Sequence, residues 1–233
     1  MQLDVCIEML FTDLPAEQRI ERVAAAGYDA VEFWLPDDKN LDAVRDAAQR
    51  TKTAINNMVV NGPGAPLLGV AAAQSHYVER VGEVIAMGQR IDCRQAITCT
   101  CNDLPGVSYA QTRAAVVEAL AEAADLAARH DFVLLLEPLN TRLDHKGYFL
   151  GSLDEGAEIV REIQSPGLKL LFDIYHVQVN HGDLIRRIEQ HFDVIGHFHA
   201  AGVPGRHELF GTEINYPAIV RRIEALGYTG RFG

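Results

Sequence analysis

VLLLE, Val133–Glu137, is apolar at four successive positions and closes on a carboxylate. A strand with one face in water alternates apolar and polar residues, whereas a run like this belongs to a strand covered on both faces. KLLFD (Lys169–Asp173) and VIGHFH (Val194–His199) have the same form, and each also ends on a polar, metal-ligating residue type. Three doubly covered strands with chemistry at their C-terminal ends point to a parallel α/β sheet.

Outward from these runs, further short β-branched segments predict strands at Asp4–Met9, Ala30–Phe33, Ala54–Met58 and Gln95–Cys99. Amphipathic stretches between them predict helices at Pro15–Ala26, Leu41–Thr51, Ser75–Arg90, Tyr109–Arg129, Leu153–Ile163, Asp183–His191 and Tyr216–Leu226. Ser152 and Asp183 fit N-caps, Pro15 a helix start, and Gly27 and Gly227 the residues after helices. The strand–helix unit thus occurs seven times. No GxGxxG or GxxxxGK[ST] follows the first strand, so the usual signatures of a doubly wound nucleotide-binding sheet are missing. The expectation is a (β/α)8 TIM barrel filling residues 1–233 as one domain, within the ~200–250 residues that such barrels occupy. The loop at residues 61–69, rich in Gly and Pro, falls on the face where barrels keep their chemistry. After the last helix the chain reads GYTGRFG to Gly233, which predicts an eighth strand truncated as it begins and a C-terminus that is incomplete.

Composition narrows the function classes. The 233 residues are 48% hydrophobic and 23% charged, with no apolar run of the roughly 18 residues a membrane span needs. MQLDVCIEML lacks a basic leader and a cleavage site, so it reads as a first strand, and a cytoplasmic location is expected. A formal charge of −11 disfavours nucleic acid as a partner. The four cysteines form no CxxC pair, and Cys99 and Cys101 read as small buried hydrophobes rather than ligands. Helical faces of barrels often bury homo-oligomer interfaces, but no face is marked for one here.

In a parallel barrel the strand C-termini surround one mouth, so Glu137, Asp173 and His199 converge without being near in sequence. Two carboxylates and an imidazole suit Mn²⁺ or Mg²⁺ and are compatible with Zn²⁺. Singly, each has about an even chance of being a loop-facing group or helix cap; three adjacent strands with the same placement argue for a site. Seven of the nine histidines lie after residue 140, in the same half of the chain. Trp34 and Phe33 are candidates to wall a pocket and Glu8 to face one, with ordinary packing as the competing reading.

LLLEPLN around Glu137, FDIYH (Phe172–His176), GHFHAAGVPGRHE (Gly196–Glu208) and GTEINY (Gly211–Tyr216) together resemble the hydroxypyruvate isomerase group of the xylose isomerase-like barrels. The likeness extends to CIEMLF at the start and GYDAVEFW at the second strand. It implies that Glu137 is a metal ligand and acid/base group, that Asp173 is a ligand, and that His176 and Arg206 touch substrate oxygens, with Glu213 on the substrate-side loop. His199 stands where epimerase relatives carry histidine and hydroxypyruvate isomerases more often carry glutamine. An arginine beside the substrate suits a carboxylate through paired hydrogen bonds. Its competing reading is a surface pair with Glu208 or Glu213. The resemblance also implies a second glutamate after the eighth strand, in a segment like FGLEY, and this sequence ends at FG.

The function expected is a metal-assisted isomerase that converts hydroxypyruvate to tartronate semialdehyde, or a four-carbon 2-oxo acid to its aldehyde isomer, through an enediolate. The alternatives are a ketose 3-epimerase, favoured by His199, and a catalytically impaired barrel binding a sugar acid or a protein partner, favoured by the missing glutamate.

Overall fold

The computed structural model describes residues 2–65 and 71–233. Strand β1 runs in two segments, Gln2–Leu3 and Val5–Cys6, and leads to α1 (Ala16–Ala25). Next come β2 (Ala30–Glu32), α2 (Leu41–Thr51), β3 in two segments (Ala54–Ile55 and Met58–Asn61) and α3 (Ala71–Ile91). The chain continues through β4 (Gln95–Thr98), α4 (Tyr109–Arg129), β5 (Val133–Leu136), α5 (Leu153–Ile163) and β6 (Leu168–Asp173). It finishes with α6 (Ile174–Asn180), α7 (Leu184–His191), β7 (Ile195–His199), α8 (Tyr216–Ala225) and β8 (Arg231–Phe232).

Among the described residues every strand pair is parallel, and the two split strands explain how the sheet closes. The first segment of β1 pairs with β8 and the second with β2, while β3 pairs with β2 through its first segment and with β4 through its second. A seven-member ladder and a three-member ladder are thereby joined into one ring of eight strands, the α/β barrel. The two residues of β8 suffice to bond both neighbours, Gln2↔Arg231 on one side and Phe232↔Phe198 on the other. Gly233 then donates its N–H to Phe198 O at 3.0 Å. Residues 66–69 of the expected Gly/Pro-rich loop lie outside the described residues.

The doubly apolar strands are buried as their composition requires: Leu134, Leu135, Leu136, Leu170, Leu171 and Phe172 are fully inaccessible. Each such side chain contributes roughly 1.5–3 kcal/mol relative to exposure. Helices cover them with small or apolar faces. In α4 that face is Ala119, Ala123, Ala124 and Ala127, which lets the chain pass so close that a Cβ on Gly167 would meet Ala124 O at 2.1 Å.

One helix departs from the expectation. IYHVQVN, rich in β-branched and aromatic residues, has no helical signature, yet α6 starts directly where β6 stops. Asp173 makes this turn: its Oδ1 accepts the backbone N–H of His176 at 3.1 Å, so a residue at the barrel mouth also caps a helix.

Candidate active site

The ends of β5, β6 and β7 bring the expected residues to one region as two neighbouring clusters. Glu137, Asp173 and His176 place ligand-type atoms within 4.8 Å of one another, and Glu32, His197 and His199 do the same. His199 links the two clusters. Its Nε2 lies 2.9 Å from Glu32 Oε2, and its Nδ1 lies 4.0 Å from Glu137 Oε1.

Glu137 and Asp173 are both buried, on neighbouring strands. Burial raises the Glu137 carboxyl to about 7, with Asp173 adding to the rise and His199 and Arg206 opposing it. At Asp173, burial is outweighed by His176, Arg206 and His199, and its carboxyl is lowered. Burial alone would lower His199, but Glu32, Glu137 and Asp173 lift it to about 10. Two buried carboxyl groups and an imidazole that can give up its Nδ1 proton to a cation offer two oxygens and one nitrogen. Such a donor set fits a divalent cation.

His176 is placed by the loop after β5. Asn140 donates to its Nδ1 twice, from the backbone N at 3.1 Å and from Nδ2 at 2.7 Å. The Asn140 amide is oriented by its own partners, because Oδ1 accepts from Leu143 N and Asp144 N while Nδ2 donates to Asp144 Oδ2. Nδ1 of His176 is therefore an acceptor, while its Nε2 lies 3.2 Å from Arg206 Nη2 and 3.7 Å from Asp173 Oδ2. Burial lowers the His176 pKa to about 4, so the ring is neutral at physiological pH.

Arg206 turns inward rather than to a surface glutamate. It follows the cis Val203–Pro204 peptide and Gly205 in a tight turn, where its N–H donates to Gly202 O at 2.8 Å. Its Nη2 lies 3.7 Å from Asp173 Oδ2, and its guanidinium stands over the Tyr175 ring at 4.9 Å. The Tyr175 hydroxyl donates to Asp144 Oδ2 at 2.8 Å.

Other candidates are placed elsewhere. Glu213 accepts from Gln178 of α6 at 3.1 Å and lines a separate pocket of about 260 Å³ with Asp183, Leu184 and Ile219. Glu8 is held by Lys39 at 2.6 Å, by Arg19 at 3.7 Å and by the Trp34 N–H. Phe33 is buried and Trp34 is 53% exposed. Cys99 and Cys101 are buried free thiols.

Sequence reasoning passed over the inner polar layer beneath the mouth. Asp4, Glu32, Asn57 and His197 are all buried there. His197 Nε2 lies 3.7 Å from Glu32 Oε2 and 4.0 Å from Asp4 Oδ2. Burial and the Glu32 charge push Asp4 up to about 6. β8 runs into the same layer, since a Cβ on Gly233 would lie 2.6 Å from Asp4 Oδ1 and 3.1 Å from His199 Cδ2. The available signal was the spacing of two in GHFH, which sends His197 and His199 to the same side of β7.

Comparison with known proteins agrees with this architecture. Residues 20–233 match the family described as xylose isomerase-like TIM barrel. The 2-oxo-tetronate isomerase of Cupriavidus necator is 33% identical, over 97% of this chain and 89% of its own length. The hydroxypyruvate isomerase of Escherichia coli is 29% identical, over 97% and 90%. Among solved structures, AP endonuclease, family 2, from Brucella melitensis superposes with a TM-score of 0.92 at 27% identity, covering 100% of this chain and 92% of that one. A D-allulose 3-epimerase from Methylomonas sp. shares the fold, with a TM-score of 0.84 at 18% identity and coverage of 100% and 82%. With a closed parallel barrel and a full-length match to isomerases, the chain belongs to the xylose isomerase-like TIM barrel family.

Proposed function

We propose that this chain is a metal-assisted isomerase that interconverts hydroxypyruvate and tartronate semialdehyde, or a four-carbon 2-oxo acid and its aldehyde isomer. The observation that carries this reading is the meeting of two buried carboxylates, Glu137 and Asp173, with Arg206 at 3.7 Å from Asp173. The relatives named as hydroxypyruvate and 2-oxo-tetronate isomerases support the substrate class.

Glu137, Asp173 and Nδ1 of His199 would hold the cation, with Mn²⁺ or Mg²⁺ suited to the two oxygens and Zn²⁺ compatible. His176 is less apt as a ligand, because Asn140 occupies its Nδ1 and the Arg206 guanidinium stands 3.2 Å from its Nε2. Held there, a cation would supply positive charge against the negative charge that develops on the substrate oxygens. Glu137 takes a proton from the hydroxyl-bearing carbon beside the carbonyl and returns it to the former carbonyl carbon, while the hydroxyl proton passes to the former carbonyl oxygen. Arg206 pairs with the substrate carboxylate through two N–H groups. His176, with Nε2 3.2 Å from Arg206 Nη2, stands beside the substrate's polar end, and Asp173 and Tyr175 hold Arg206 in place.

Turnover of a substrate panel with Mg²⁺ tests this reading. Hydroxypyruvate or a four-carbon 2-oxo acid is expected to react, and a chelator to abolish the reaction. Turnover of fructose or tagatose without the acids would instead establish a ketose 3-epimerase, for which the His199 imidazole is the favouring feature. No turnover of any of them would leave a barrel that binds a sugar acid or a partner without converting it.

A further inference from the structure

The inner polar layer contains a contact that the proposed chemistry does not use directly. Glu32, 5% exposed on β2, accepts from two directions at a single oxygen: Asn57 Nδ2 lies 2.6 Å from Oε2, and His199 Nε2 lies 2.9 Å from it. Asn57 also reaches His197, with Nδ2 3.3 Å from His197 Nε2. An amide N–H can only donate, so His197 Nε2 is an acceptor there and is not the donor to Glu32. The nearby groups thus leave the Nε2–H of His199 as the ring donor to Glu32. The other nitrogen, Nδ1, is the one turned to Glu137 at 4.0 Å.

We infer that Glu32 is a positioning residue for His199, which locks the proton on Nε2 and so presents the Nδ1 lone pair to the cation held with Glu137 and Asp173. This rests on the reading of His199 as a ligand. A metal-binding histidine that gives its second N–H to a carboxylate is fixed in both tautomer and ring orientation. Here that carboxylate crosses from β2 to β7, a link between residues 167 apart in sequence. Asn57 is the clamp that keeps Oε2 in place.

The test uses the full chain, ¹⁵N-labelled at histidine and loaded with Zn²⁺, with Mn²⁺ affinity measured in parallel by EPR of the free ion. Long-range ¹H–¹⁵N correlation is expected to show His199 protonated at Nε2 and ligated at Nδ1. In Glu32→Gln an amide N–H can donate to Nε2, so that pattern should mix or invert, and Mn²⁺ binding should weaken about 10- to 100-fold. In a His199→Gln background the added Glu32→Gln change should have no further effect on Mn²⁺ affinity. Should Glu32→Gln not fold by circular dichroism, Glu32→Asp, which withdraws the carboxylate by one methylene, is expected to weaken binding in the same way. Wild-type pattern and affinity in a folded Glu32 variant would overturn the inference alone. So would ligation through Nε2, or an equal further loss in the His199→Gln background. Failure of the wild-type chain to bind Mn²⁺ or Zn²⁺ would overturn the cation site itself and the inference with it.

Discussion

Arg206 illustrates how much a single side chain can decide. Its guanidinium has a carboxylate at 3.7 Å and an aromatic face at 4.9 Å, an arrangement suited to a planar fork and not to a point charge. Arg206→Lys is therefore expected to raise KM for an acid substrate roughly 10- to 100-fold, the loss of about 1.5–3 kcal/mol of charge-assisted bonding, with kcat changed less. Steady-state kinetics on the acid substrate checks it, and an unchanged KM would place Arg206 outside substrate contact. At this scale Glu137, Asp173 and His199 were legible because each ends an apolar strand, and strand ends meet in a barrel. Glu32 was not, because EFW reads as a strand running into an aromatic wall and its partner is 167 residues away. Hydrogen-bond partners at such a distance leave no local pattern to read.

At the scale of elements, helices with punctuation were read to the residue. Pro15–Ala26 and Asp183–His191, which have no side-chain cap bond, were still read to within one residue of Ala16–Ala25 and Leu184–His191, whereas α6 was missed. Leu41–Thr51, Tyr109–Arg129 and Leu153–Ile163 have their expected limits, and all three begin after a side-chain cap from Asn40, Ser108 or Ser152. α6 has a cap too, but the accepting side chain is Asp173, which ends a strand and stands at the candidate site at the same time. Split strands are equally invisible in sequence, since the change of partner along β1 and β3 follows from closure of the ring. Ser108 forms a complete capping box with Gln111 at the start of α4. Ser108→Ala is expected to cost about 1 kcal/mol of stability in a urea titration. A change near zero would mean that the packed alanine face of α4 holds its first turn without the cap.

Across the whole molecule, the barrel's outer layer carries polar links between elements. Asp154 of α5 accepts from Arg187 Nη1 at 2.8 Å and lies 2.7 Å from His191 Nε2, tying α5 to α7. Burial acts against the Asp154 carboxylate, but the Arg187 and His191 hydrogen bonds outweigh it and lower its pKa. A depressed folded-state carboxyl contributes stability above the unfolded pKa, near 3.9, and loses it as pH falls through the folded value. In Asp154→Asn the melting temperature should fall at pH 7, and its further decline below about pH 4 should be shallower than in the wild type. Parallel curves for the two proteins between pH 3 and 7 would remove Asp154 from the acid response. Among the described residues no helix is long and apolar enough to cross a membrane.

In the proposed reaction, Glu137 moves a proton between adjacent carbons of a hydroxy-keto acid at a cation site. This transfer is tested most directly by ¹H NMR of hydroxypyruvate in D₂O with the Mg²⁺-supplied chain. Deuterium should enter at the hydroxymethyl carbon of hydroxypyruvate and at the hydroxyl-bearing carbon of the aldehyde product, and Glu137→Gln should slow the exchange roughly 10²–10⁴-fold. Absence of exchange on hydroxypyruvate and on four-carbon 2-oxo acids with Mg²⁺, Mn²⁺ and Zn²⁺ alike, or exchange undiminished in Glu137→Gln, would contradict it.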